Sequence, residues 1–383
     1  MGIPVHIYED PNAGDAATGA ARGARDAFAT RRRRRHRFDD ARFDDVFTTH
    51  STTAAAAAAA PWGLWPRREF GDAQWASMRE TKRCDGALWA LWRDDGSRVC
   101  IVDANGAVHE HAARLPARIT ALDALDTHTV AFGLASGQHG VLDLASGRAH
   151  YAEAASSDGH DENAAITHVW ARRGAHVTLA RDATVRVSRP AAAGAAAATS
   201  LATTRCLTRG DAVTCADLSA DAVWLALSDG HRVWLQHPHD PRQHNVPGLG
   251  LQLDERVVSL RFAPRAQLLV VATTARIVAY ECGAASVALV CGARAGTLYD
   301  FDLQGALVVE QQHLYGTHVA QFQRVNGGPQ WAQIGYADVR AQFGIRKVHK
   351  LRASCVGVWV VAEAGVCSEF ATTRDAGSGA REH

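Results

Sequence analysis

The chain has 383 residues, 47% of them hydrophobic and 21% charged, with 41 Lys+Arg against 40 Asp+Glu and a formal net charge of +1. This is globular usage, and the near-zero balance gives no overall electrostatic attraction to nucleic acid or to an anionic membrane. No apolar run approaches the ~18 residues of a membrane span, so the composition predicts an intracellular protein with no membrane partner.

The N-terminus, MGIPVHIYEDPNAG, lacks the basic region and apolar stretch of a secretory signal. His6 stands where a myristoylation signal carries Ser or Thr. Residues 1–60 are Gly-, Ala- and Asp-rich and show no sustained apolar period, which predicts a disordered arm. Within it, Arg31, Arg32, Arg33, Arg34 and Arg35 form an unbroken basic run. That run reads as a nuclear localisation signal or a contact for RNA, and equally as a solvated charge block. Phe38, Phe43 and Phe47 follow at helical spacing among aspartates. Such a segment folds onto a partner or back onto its own domain. Trp62 and Trp65 close the arm and are the candidate interface aromatics.

From Leu88 onward the chain is periodic. Openings in which apolar residues recur at short spacing begin at Leu88, Ile119, Ile166, Val213, Val257, Leu298 and Val348. The differences between those positions are 31, 47, 47, 44, 41 and 50 residues. A second apolar run follows each opening, then a turn, then a third run. The turns include DANG at Asp103–Gly106, ASGQHG at Ala135–Gly140 and LSDG at Leu227–Gly230. Asn-Gly and Asp-Gly supply the positive φ angles of tight hairpins. The apolar runs are four to seven residues long and broken by such turns, so they read as strands and not as helices. The segments 191–198 and 326–347 read as a loop between units and a long insertion.

A 40–50-residue period of short strands points to a β-propeller. Packing sheets around an axis buries faces that one small sheet leaves in water. Seven openings predict an all-β, seven-bladed propeller over 61–375, with a disordered tail at 376–383. The segment Pro61–Phe70 is the candidate closing strand, its prolines confining it to an edge.

No catalytic constellation stands out. There is no G-x-S-x-G, P-loop or dinucleotide fingerprint. Ser228–Asp229 lies in a hairpin turn that needs Asp-Gly for its geometry. The eight cysteines form no C-x-x-C pair and read as buried free thiols. His109 and His111, then His237, His239 and His244 with Asp240, and His160 among Asp158, Asp161 and Glu162, are the histidine clusters. None has a metal-binding spacing, and with 19 histidines some clustering is expected by chance. No metal or cofactor is therefore expected. The strand tryptophans Trp89, Trp92, Trp170, Trp224, Trp234 and Trp359 read as packing between blades, and Trp75 as part of the arm junction.

Four stretches carry a family resemblance: LASGQHGVLDLASGR, LARDATVRVSRP, LALSDGHRVWLQH and RAQLLVVATTARIVAYE. They resemble degenerate WD40 repeats over roughly 88–370. Leu142–Asp143 and Tyr280–Glu281 stand in place of the Trp-Asp pair, and Gly-His is missing from most units. The resemblance implies a non-enzymatic scaffold that binds peptides or other subunits of a complex, with nuclear placement suggested by the arginine run. Two other readings remain open: nucleic-acid binding through the arm, and a propeller hydrolase or lyase with polar groups converging on the axis. The loops before the first strands, where Arg118, Arg209 and Arg256 lie, are the axial surface on this reading.

Overall fold

The computed structural model describes residues 64–371 apart from short stretches, of which 153–163, 190–198 and 206–212 are the longest. The expectations for the arm, for Arg31–Arg35, for Trp62 and for the 376–383 tail lie outside the described residues.

The described chain is built from seven four-stranded antiparallel sheets. Sheet 1 holds β2 (Arg79–Lys82), β3 (Leu88–Trp92), β4 (Val99–Asp103) and β5 (Val108–His111). Sheet 2 holds β6 (Ile119–Ala124), β7 (Thr129–Leu134), β8 (His139–Asp143) and β9 (Ala149–Tyr151). Sheet 3 runs from β10 (Ile166–Arg172) through β11 (Ala175–Ala180) and β12 (Thr184–Arg189) to β13 (Thr199–Arg205). Sheet 4 is β14 (Cys215–Leu218), β15 (Leu225–Ser228), β16 (Val233–Gln236) and β17 (Gln243–Asn245). Sheet 5 is β18 (Val257–Phe262), β19 (Leu268–Thr273), β20 (Arg276–Glu281) and β21 (Ala288–Gly292). Sheet 6 is β22 (Tyr299–Phe301), β23 (Leu307–His313), β24 (Gly316–Arg324) and β25 (Trp331–Asp338). Sheet 7 combines β26 (Val348–Ala353), β27 (Gly357–Ala362) and β28 (Cys367–Ala371) with β1 (Trp65–Phe70) from the other end of the chain. Trp65 pairs with Ala371 and Phe70 with Cys367, so β1 closes the last sheet as its outermost strand.

Side chains alternate across each strand, and here both faces meet a neighbouring sheet. In β3, Leu88, Ala90 and Trp92 pack against sheet 2, whereas Trp89 and Leu91 pack against Trp359 and Val361 of sheet 7. Seven apolar clusters occupy the seams between successive sheets, the last joining sheet 7 to sheet 1. The sheets thus form a closed ring, a β-propeller. The turns follow their sequence: Asp103 accepts hydrogen bonds from the N–H groups of Asn105 and Ala107, and Gly106 has φ 75°. Asp229 does the same for His231 and Arg232, with Gly230 at φ 91°.

Four expectations are corrected. The first sheet opens at Arg79, with Leu88 beginning its second strand, because the inner strand RETK is polar and carries no apolar run. That explains the short first interval. β12 and β13, the strands on either side of 191–198 in sequence, pair directly in sheet 3, so that stretch does not separate two units; it lies itself outside the described residues. The segment 326–347 is not a plain insertion. It contains β25, the fourth strand of sheet 6, and then a one-turn helix α1 (Val339–Phe343). Asp338 caps α1 by accepting from the N–H groups of Arg340 and Ala341, and Gly344 ends it at φ 70°. Trp75 is core, with no exposed surface: its ring meets Trp89 edge-on at 5.7 Å, and Trp89 stacks on Trp359 at 5.5 Å. The turn at 74–77 that leads into β2 tucks it into the seam where the ring closes.

Candidate functional site: the axial channel

The innermost strands β2, β6, β10, β14, β18, β22 and β26 each leave one edge unpaired. A bare edge presents backbone N–H groups that need acceptors. At three seams an aspartate of the preceding sheet supplies one. Asp123 accepts from the Ala171 N–H at 2.9 Å, Asp217 from Phe262 at 2.6 Å and Asp300 from Ala353 at 2.8 Å. Arginines complete the ties. Arg172 pairs with Asp123, Arg261 with Asp300 at 2.8 Å, and Arg352 with Glu80 at 2.7 Å. The partners come from sheets 2 and 3, 5 and 6, and 7 and 1, so charged side chains bind sheet to sheet around the axis. At the seam of sheets 1 and 2, Arg79 donates to the Thr120 carbonyl at 3.1 Å.

A cavity of about 230 Å³ lies inside this ring, lined from six sheets by Glu80, His168, Asp217, Arg261, Asp300 and Arg352 among others. Polar groups therefore do converge on the axis. Their chemistry is subdued. Each oxygen of Glu80, Asp217 and Asp300 already accepts a hydrogen bond. Burial holds the Asp217 carboxyl above the usual carboxylate range, against the opposing pull of backbone donors and of Arg261 and Arg172. Burial pushes the His168 imidazole down to about 4, so the ring is neutral at pH 7. It stacks on Trp170 at 5.2 Å. Thr167 donates its hydroxyl to the Leu179 carbonyl at 3.0 Å, leaving its oxygen to accept from His168 Nδ1 at 3.1 Å. Burial raises the Cys215 thiol to about 11, far from a reactive thiolate. The Tyr299 hydroxyl donates to Ser259 Oγ at 3.0 Å. Among the described residues, no channel hydroxyl or thiol is poised against a base that would activate it.

The residues singled out in the sequence fall elsewhere. Trp65 is the first residue of β1. His109 and His111 both approach His128, with ring centroids 5.8 and 5.5 Å apart. His237 stacks on Trp224 at 4.3 Å and His244 meets the same ring edge-on. Asp240 pairs with Arg242. The described His, Cys, Asp and Glu residues form no group able to hold a metal ion. His239, Asp158, His160, Asp161, Glu162 and Arg209 lie outside the described residues. Ser228 accepts from the Gly230 N–H at 2.9 Å, so Ser228 and Asp229 build their turn. Arg118 pairs with Asp94 and Arg256 contacts His231, neither of them in the channel cavity. The channel charges themselves went unnoticed in the sequence. Their signal is positional: Asp123, Asp217, Arg261 and Arg352 each stand four residues after an apolar opening.

No protein-family model matches the chain, and no curated protein matches it. Among solved structures it is similar to a chain in a crystal structure of a mitotic checkpoint complex, at 13% identity and a TM-score of 0.56, covering 86% of this chain and 98% of that one. It is also similar to the Myceliophteria thermophila Cps50 (Swd1) β-propeller domain, at 12% identity and a TM-score of 0.50, covering 77% of this chain and 96% of that one. At such identities the likeness shows the fold alone, and that fold is the β-propeller which the repeat pattern predicts.

Proposed function

We propose that the seven sheets are the blades of one disc that acts as a non-enzymatic scaffold, holding protein partners within a multi-subunit assembly. One observation carries this reading. The axial charges are engaged in holding sheets together, while large apolar groups left in water sit on outer strands. Leu289 on β21 is 63% exposed, and Ile334 and Tyr336 on β25 are 45% and 61% exposed. β25 is the longest outermost strand described, and no strand pairs with its outer edge. Ile334 lies at the β-bulge of β25, two residues before Tyr336. An extended segment of a partner protein adding to β25 would pair that edge and cover those side chains. The similar chain found within a mitotic checkpoint complex supports an assembly role. Arg31–Arg35 would serve as a nuclear import signal, and Trp62 and Trp65 as an accessory contact.

The test is quantitative affinity purification of the wild type beside Ile334→Asp/Tyr336→Asp. Loss of stoichiometric protein partners at unchanged Tm supports the reading. Full retention of the same partners removes β25 from it.

A further inference from the structure

We propose that the seam between sheets 2 and 3 is an acid-operated gate in the ring: protonation of His176 parts these two sheets while the rest of the ring stays closed. The apolar cluster at this seam is the smallest of the seven, six buried residues of which four are alanine. Polar side chains fill the remainder, and strand pairing shows which ones. Ala131 and Ala171 belong to the cluster and so face across the seam. His176 is the cross-strand partner of Ala171, and such partners share a face. Thr178 follows two residues later on β11, and Ser188 and Arg186 are the β12 partners of His176 and Thr178. The residues between them, Val177, Leu179, Val185 and Val187, turn the other way into the cluster with sheet 4. From sheet 2, Asp123 is the partner of Ala131, and His139 is the partner of Gly133, whose Cβ position meets Ile166. All of these polar side chains are buried.

A further positive charge has no place at this seam. Arg172 on β10 pairs with Asp123 Oδ2, and the Ala171 N–H donates to the same oxygen. Arg186 on β12 is a second buried cation. Among the described residues that face the seam, two guanidiniums therefore stand against one carboxylate, and His139 on β8 adds a second imidazole. His176 Nε2 is buried with no hydrogen-bond partner among the described residues, so no acceptor is placed for the proton it would gain. Burial pushes the His176 imidazole below its ordinary 6.5, and no carboxylate, Asp123 included, draws it back. The ring is thus neutral while the seam is shut. The shut seam is fully favoured above pH 6.5. As pH falls below that value, a parted seam lets water reach the ring, binds the proton and gains population. Return to neutral pH closes it again.

The test uses the full chain and His176→Gln, which keeps a polar side chain that does not titrate. Hydrogen exchange read by mass spectrometry at about pH 7.5 and about pH 5.5 locates the opening, with labelling times adjusted for the slower intrinsic exchange in acid. In the wild type, opening in β7, β8, β10 and β11 should rise about tenfold at the lower pH, the factor for one histidine that titrates only when the seam is open. Sheet 5, whose strands carry no histidine, should hold its protection. His176→Gln should lose most of the rise. His168→Gln, altered on the channel side of β10, should keep it. If His176→Gln does not fold, His176→Leu removes the same titration, and the wild-type map by itself separates local from global opening. A rise spread evenly over all seven sheets, no rise at the seam, the same rise in wild type and His176→Gln, or its loss in His168→Gln instead overturns the proposal. None of these results bears on the β25 reading, which uses a different surface.

Discussion

Gly133 on β7 sits where sheet 2 comes closest to sheet 3. A Cβ there would lie 2.3 Å from Ile166 Cγ2. The apolar cluster at this seam is small and mostly alanine, with Ala121, Ala131, Ala171 and Ala180 beside Ile166 and Val169, so the sheets approach closely. Gly133→Ala should destabilise the fold by about 1–3 kcal/mol through overpacking, read as a lower urea midpoint at unchanged slope. Asp300 is a different case. It is 1% exposed and serves both Arg261 and the Ala353 N–H. Asp300→Ala should cost about 3–5 kcal/mol, because it leaves a guanidinium and an N–H without their acceptor. His168 sets a pH dependence. Its folded value, about 4, lies below the ordinary 6.5. Its contribution is therefore complete above pH 6.5 and is lost as pH falls from there towards 4. The drop in Tm between pH 7 and pH 5 should be smaller in His168→Gln than in the wild type; an equal drop would assign the acid sensitivity to other groups.

Among the elements, what the sequence made legible was what recurs locally. Hairpin turns such as Asp229–Gly230 and apolar strands such as LLVVAT of β19 carry their structure in a few adjacent residues. The inner strand β2 did not show, because RETK faces a polar channel and has no apolar signature. The partners of Asp123, Asp217 and Asp300 lie roughly 50 residues further along the chain, on the next sheet, so no local pattern reveals them. The one local sign of the channel is the recurrence of a charge four residues after an opening begins. Trp75 was hidden for the same reason, since its partners Trp89 and Trp359 belong to the two sheets that close the ring. β1 yields a prediction at this scale. A variant lacking residues 1–60 keeps β1 and should unfold at the wild-type temperature. One lacking residues 1–70 bares the edge of β28 and should show a markedly lower Tm and association between chains. Equal stability of the two would mean that β1 is dispensable for closure.

For the whole molecule, closure is the central physical fact. Each sheet buries its faces only because a neighbour stands on either side, and the last seam joins residues from both ends of the described chain. Such a ring is a stiff frame with outer edges and an axial cavity available for recognition. The most direct measurement is affinity purification from the native cell with nuclease treatment, comparing the full chain with a variant lacking residues 1–60. The account predicts that the same protein partners are recovered in both. Loss of those partners without residues 1–60, or recovery of partners only when nucleic acid is intact, would contradict it and make the arm the functional element.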